Sequence, residues 1–331
     1  MDHGLEAVLN SISTCSEQAS CEDHSSDSSL LSLEGTCDVV IVNYNAGGFL
    51  SESVLSSWAS GASRVIVVDN ASRDDSLDTL MSLQGGELRI VRNSSNLGFS
   101  AACNIGAHHT SAPYVLFLNP DCVLAADALG GMIQALVSYP RSGMVGGFLC
   151  NPDGTEQPGG RRVFPTPKRA FLRAFGLSRL SKFLPASFSD FLLHEQPLPR
   201  EPMVVEAISG ACMLVRREAI ESVGLWDEGY FLHCEDLDWC MRFRQAGWDV
   251  LYVPGAKVSH QFGVCSRSRP YFVEWHKHRG MLRFYQKFFR HQYPGVLWVS
   301  VVIGVWLRFS LVVARHLVMD VVAFFKQKKG A

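Results

Sequence analysis

The chain has 331 residues, 47% of them apolar, which is enough to bury one large α/β core or two small ones and excludes disorder throughout. Its 30 basic and 32 acidic side chains leave a formal charge of -2, so the balance carries no polyanion signal and nucleic acid is not an expected partner. The ten cysteines (Cys15, Cys21, Cys37, Cys103, Cys122, Cys150, Cys212, Cys234, Cys240, Cys265) include no Cys-x-x-Cys pair, which excludes the common zinc and redox motifs and favours buried thiols in a reducing cytosol.

The N-terminus lacks a basic region followed by an apolar core, so no signal peptide is expected and the cytosolic side is favoured. Residues 1–35 are rich in Ser and acids and nearly free of aromatic side chains; they are expected to form a disordered arm. From Cys37 the pattern changes. Val39-Val40-Ile41-Val42, Val65-Ile66-Val67-Val68 and Tyr114-Val115-Leu116-Phe117-Leu118 are short apolar runs that predict strands buried on both faces. Helical spacing fills roughly 48–60, 73–83 and 98–110 between them. This rhythm predicts an α/β fold with a mostly parallel sheet covered by helices, and polar groups collected at the C-terminal strand ends.

Residues 150–200 open with turn-forming Asn151-Pro152-Asp153-Gly154 and Pro158-Gly159-Gly160. After Pro165 and Pro167, Phe171, Leu172, Phe175, Leu177, Leu180 and Phe183 alternate with Lys168, Arg169, Arg173, Arg179 and Lys182, which fits either a solvated helix on the core or a membrane-surface helix. Order returns from Val204 to Val258, with Val250–Val253 strand-like. The stretch Val296–Phe325 is apolar but interrupted by Arg308, Arg315, His316 and Asp320. Helices in or near a membrane interface, with Lys326, Lys328 and Lys329 toward anionic lipid, are favoured over a true span.

Chemistry-bearing residues cluster at predicted strand ends. The first strand ends in Asn43-Tyr44-Asn45 and the second in Asp69-Asn70-Ala71-Ser72, where an acid can accept hydrogen bonds from a base or ribose; the same residues also make turns and helix caps. Neither a Gly-x-Gly-x-x-Gly nor a Gly-x-x-x-x-Gly-Lys-Ser/Thr motif follows the first strand, which argues against a dinucleotide or phosphate-loop fold. Asn119-Pro120-Asp121 ends the third strand with one carboxylate that can reach a hard divalent cation on a diphosphate, although such a tripeptide is more often a Pro turn with a helix cap. His260 is a second candidate ligand through its neutral ring nitrogen, although a lone His after a strand is more often structural unless it converges with Asp121. Glu235, Asp236 and Asp238 fall where a loop becomes a helix, among Trp226, Tyr230, Phe231 and Trp239. Acids in a first turn complement the helix dipole, while apolar surroundings tune a general base and aromatic faces suit sugars.

Taken in order, five segments resemble a bacterial family-two glycosyltransferase with the GT-A fold, of the rhamnosyltransferase type. They are Val-Ile-Val-Asn-Tyr-Asn at 40–45, Val-Val-Asp-Asn-Ala-Ser at 67–72, Asn96-Leu97-Gly98-Phe99-Ser100 with Asn104-Ile105-Gly106, Asn-Pro-Asp at 119–121 and Glu-Asp-Leu-Asp-Trp-Cys at 235–240. The resemblance covers about 37 to 290 and implies a GT-A domain over 36–294, with 36–150 as nucleotide-sugar half, 151–294 as acceptor half and 295–331 as membrane-associating tail. It implies that Asp69 holds the donor's base, with Asn43, Asn45, Asn70, Asn96, Gly98, Asn104 and Asn119 around the donor. Asp121 and His260 would hold Mg²⁺ or Mn²⁺, Asp236 would be the general base oriented by Glu235, and Trp226, Asp238 and Trp239 would meet the acceptor. Asn119 departs from the broader family, which often has Asp there. The expected reaction is an inverting transfer from a dTDP-, UDP- or GDP-linked sugar, rhamnose or a similar hexose, to a glycan or lipid-linked acceptor. The expected place is the inner face of the cell membrane. A nicotinamide-dependent oxidoreductase and a non-catalytic membrane scaffold are the alternatives.

Overall fold

The structure, a computed structural model, describes residues 35–167, 169, 193–261, 269–292 and 294–329. The Ser-rich arm expected over 1–35 falls almost wholly outside the described residues, as does the basic segment beyond Arg169. Nothing is described of the Lys326, Lys328 and Lys329 side chains.

β-branched runs favour extended backbone, and alternation sends successive side chains to opposite faces. In β1 (Cys37–Asn43), Val40 and Val42 join one apolar cluster while Val39 and Ile41 join the other. β2 (Arg64–Asp69) repeats the arrangement with Ile66 and Val68 against Val65 and Val67. Burying such a side chain is worth roughly 1.5–3 kcal/mol, so a strand loaded on both faces belongs at the centre of a sheet. The remaining strands are β3 (Glu87–Arg92), β4 (Tyr114–Leu118), β5 (Cys122–Leu124), β6 (Ser142–Cys150), β7 (Arg161–Arg162), β8 (Met203–Val205), β9 (Ala207–Ile208), β10 (Cys212–Arg216) and β11 (Asp249–His260). The main sheet runs β3-β2-β1-β4-β10-β6-β11-β5, with β8 also on β11, and β7 pairs separately with β9. It is parallel from β3 to β4; β10 then runs antiparallel to both β4 and β6, so the sheet is mixed beyond its N-terminal half.

α1 (Phe49–Ala59) and α3 (Ala128–Ser138) cover one face. α2 (Phe99–Ala107), α4 (Arg217–Val223), α5 (Glu235–Gln245) and α6 (Pro270–Phe288) cover the other. α7 (Gly295–Lys329) follows as one continuous helix of 35 residues, where several were expected.

Two elements differ from the sequence pattern. The helix expected over 73–83 is only a 3₁₀ turn, Asp78–Leu80. There the Ser76 hydroxyl donates to Asp74 and the Thr79 hydroxyl to the Ser76 carbonyl, and such local bonds compete with a helix ladder. β11 is three times the length of the apolar Val250–Val253 run, because a register shift between Val253 and Lys257 lets the strand bend and continue to His260. Inverting β10 between parallel strands brings its start, Gly210-Ala211, to the edge where β1, β2, β4 and β11 end. That edge holds the candidate site.

Candidate active site

On the donor side, Asn43 and Asp69 are register partners at the ends of β1 and β2. The Asn43 amide donates to Asp69 Oδ1 at 2.8 Å and to the hydroxyls of Ser72 and Ser76 at 3.0 and 2.8 Å. Asn43 is fully buried, so it sets the Asp69 carboxylate rather than offering a face to a ligand. Asp69 Oδ2 also receives the Ser72 N–H at 3.2 Å. Asn45 and Ala71 take left-handed backbone (φ 54 and 60), and Asn45 Oδ1 accepts the Arg73 N–H at 2.8 Å, fixing the loop mouth. The Asn70 amide donates to the Gly98 carbonyl at 3.1 Å and accepts from Asn93 at 2.8 Å. Asn96 Oδ1 receives the Gly98 N–H at 2.9 Å. Gly98, with φ 88, starts α2 under the Phe231 loop; a Cβ there would lie 2.7 Å from the Phe231 carbonyl oxygen.

Asn104 lies elsewhere than the donor surface. Its amide donates to the Trp226 carbonyl at 3.0 Å and Glu228 at 2.9 Å, and accepts the Trp226 N–H at 3.0 Å. That leaves it little capacity for a ligand and makes it a clamp between α2 and the loop before α5.

The cation motif assembles through strand register. β5 begins directly after Asp121, and its Cys122 pairs with His260, the last residue of β11. His260 Nε2 thus sits 3.2 Å from Asp121 Oδ1, both side chains buried. Behind the ring, Gln157 donates its amide N–H to the His260 carbonyl at 2.6 Å, which turns its Oε1 onto His260 Nδ1 at 2.8 Å. That contact holds the ring by Nδ1 with Nε2 toward the carboxylate, the orientation in which metal-ligating histidines are commonly held. A carboxylate oxygen and an imidazole nitrogen converging in this way fit a divalent cation. Cys122 lies within the same cluster; burial first and the Asp121 charge second push its thiol well above the usual range, so without a cation it stays protonated. Asn119 is half-buried; its backbone N–H donates to the Ala211 carbonyl at 2.9 Å.

On the acceptor side, His233 and Cys234 both take left-handed backbone (φ 68 and 70), a strained entry into α5 for residues with a Cβ. Asp236 keeps some access, with 14% of its side chain exposed. Its Oδ2 is ion-paired with Arg162 and receives the Gly210 N–H at 3.1 Å, while Oδ1 receives only the Leu237 N–H, at 2.8 Å. Glu235 differs. It is 7% exposed and its Oε2 has no hydrogen-bond partner among the described residues. Burial, with the Asp236 charge second, pushes its carboxyl up to about 8, so it is largely protonated at neutral pH.

The three residues expected at the acceptor are corrected by their burial. Asp238 is fully buried between Arg242 at 2.6 Å and Lys287 at 2.7 Å, a structural network. Trp226 and Trp239 are 3% and 0% exposed, with ring centroids 4.1 Å apart and Phe117 edge-on to both. Aromatic content near an acidic motif did point to a cluster, but packing on the sheet consumed it. Two residues were missed. Arg162 is placed by β7 and Gln157 by the turn at 151–154, and nothing local in the sequence ties either to a partner 74 or 103 residues away.

The family profile described as Glycosyl transferase family 2 matches residues 38–224, and a second, Glycosyltransferase like family 2, matches 195–281. The N-acetylglucosaminyl-diphospho-decaprenol L-rhamnosyltransferase of Mycobacterium tuberculosis is 31% identical over 236 residues, 67% of this chain and 75% of that protein. Rhamnosyltransferase WbbL of Escherichia coli K12 is 30% identical over 151 residues, 44% of this chain and 52% of its own length. In fold, the chain is similar to GalNAc-T7 with UDP, GalNAc and Mn²⁺ (TM-score 0.51, 19% identity), covering 68% of this chain but only 43% of that one. It is also similar to a mannosyltransferase of Pyrobaculum calidifontis in complex with GDP-Man and Mn²⁺ (TM-score 0.51, 14% identity, 86% and 70% covered).

Proposed function

The chain belongs to glycosyl transferase family 2, a rhamnosyltransferase-like member with the GT-A fold, and from that premise we propose that it moves a deoxyhexose or hexose, rhamnose first among them, from a nucleoside-diphosphate sugar to a hydroxyl of a lipid-linked glycan. What supports this reading is one sheet edge that carries the Asp121–His260 pair and, through the Gly210-Ala211 turn, the Asp236 carboxylate. Gly210-Ala211 joins them. Gly210 donates its N–H to Asp236, and the Ala211 carbonyl accepts from Asn119 two residues before Asp121.

Each side chain then has a task. Asp69, braced by Asn43, accepts hydrogen bonds from the donor's base or ribose. Asp121 and His260 hold the cation; a nitrogen ligand favours Mn²⁺ over Mg²⁺, which prefers oxygen. When bound, that cation offsets negative charge on the departing diphosphate. A carboxylate has about four acceptor positions. On Asp236 two on Oδ2 are taken by Arg162 and Gly210, and Oδ1 keeps one for the proton of the acceptor hydroxyl. The hydroxyl attacks the anomeric carbon from the face opposite the leaving diphosphate, and one displacement inverts configuration.

A thermal-shift screen of dTDP-, UDP- and GDP-sugars, each with and without Mn²⁺, tests the reading. One donor class should raise the melting temperature by mass action, and EDTA should abolish most of the gain. A shift with NADH and none with any nucleotide-sugar would contradict it.

A further inference from the structure

α7 buries only one side. Val305 is 6% exposed, Trp298 and Val301 pack on the main core, and Trp306 and Phe309 meet Trp275 of α6 with centroids 5.2 and 5.7 Å apart. Further along, the Tyr271 hydroxyl donates to Asp320 at 2.5 Å. α6 therefore runs antiparallel to α7 over most of the described length. On the opposite side Val296, Val299, Ile303, Leu307, Leu311 and Val318 recur at steps of three, four and seven, and every one is between 53% and 80% exposed. That spacing makes a single continuous stripe. Arg308 and Arg315, two turns apart and both exposed, form one flank of it. An apolar strip this long is beyond the scattered hydrophobics of an ordinary surface.

Residues 295–322 are long and apolar enough to cross a bilayer, with a mean hydropathy of 2.2 over their most apolar 18 residues. The packing argues against crossing. α6 carries Glu274, Lys277, Arg279, Arg283 and Lys287, and its Phe284, Tyr285 and Phe288 are rooted in the catalytic core. Passing α7 through hydrocarbon would take those charges with it or tear α6 from the core, and both are costly.

We propose that α7 lies flat in the surface of an anionic phospholipid bilayer, its Val296–Val318 stripe among the acyl chains and Arg308 and Arg315 at the headgroups. The two arginines supply the charge complementarity that selects an anionic surface. This seat places the catalytic edge one helix from the lipid: Phe231, whose carbonyl accepts the Phe99 N–H beside Gly98, stacks on His276 of α6 at 4.4 Å. A lipid-linked acceptor needs such an approach, and only that last link rests on the transferase reading.

The test uses the full chain, no donor, and vesicles of phosphatidylcholine with or without phosphatidylglycerol. The protein should sediment with the anionic vesicles and bind neutral ones on the order of tenfold more weakly. Ile303→Asn/Leu307→Asn/Leu311→Asn, all at exposed positions, should release it with an unchanged melting temperature. In inside-out bacterial membrane vesicles a C-terminal epitope should be cleaved from the cytosolic face, and alkaline carbonate should extract the chain. Failure to sediment, whether as a monomer or as a dimer sealed through α7, would overturn the proposal, as would a protected epitope with carbonate resistance. Because no donor is present, the site's function stands or falls separately.

Discussion

Glu235 and Asp236 are adjacent carboxylates with opposite surroundings, and their division of labour follows from what touches each. The buried Glu235 has an unpartnered oxygen, while Asp236 is ion-paired and partly open. A carboxyl raised from its ordinary 4.5 to about 8 contributes stability that is complete below about 4.5 and lost as pH rises through 8. Glu235→Gln keeps the shape without the titration, so the parent should lose melting temperature between pH 5 and 8 while the variant stays flat, gaining a few degrees, roughly, at pH 8. Parallel pH–melting curves for the two proteins would contradict this. Arg162 acts through Asp236. Arg162→Met should lower turnover without altering donor affinity, and Arg162→Lys should restore part of it, whereas equal losses in both constants would make Arg162 a general structural residue. Asp121→Ala should weaken donor binding chiefly in the presence of Mn²⁺, measured by calorimetry; equal affinity with saturating metal would remove Asp121 from the cation site.

At the level of elements, the Asn104 clamp ties α2 to the loop before α5. Asn104→Ala removes three hydrogen bonds and leaves the buried Trp226 N–H without its partner, a loss of about 1–3 kcal/mol on urea unfolding. A loss below about 0.5 kcal/mol would show that the loop holds without it. The strands and their polar ends were legible because β-branched runs such as Val65–Val68 have few other solutions and because Asn43 and Asp69 follow their runs directly and Asp121 comes three residues after Leu118. β3 was not among the expected strands because Glu87–Arg92 alternate polar and apolar at the half-exposed sheet edge and lack the continuous apolar run that marked the central strands. His260 was legible only as a candidate. Its pairing with Asp121 needs the register of β5 on β11, and its orientation needs Gln157, which reaches it only after a turn. The tryptophans misled for a related reason: composition reports aromatic surface but not which side of a helix the core takes.

For the whole molecule, the reversed strand β10 is what brings Gly210 and Ala211 to the edge where β1, β2 and β4 end. In the proposed reading that turn is the acceptor wall facing the donor loops. The central claim is that Asp236, set on that wall, takes the acceptor's proton. Single-turnover transfer from a saturating nucleotide-sugar to a lipid-linked acceptor, compared for the parent and Asp236→Asn, tests it most directly. The amide keeps the shape but cannot accept the proton, so donor binding and melting temperature should be close to those of the parent while transfer falls by about 10²–10⁴-fold. Near-normal transfer by the folded Asp236→Asn protein would contradict the account.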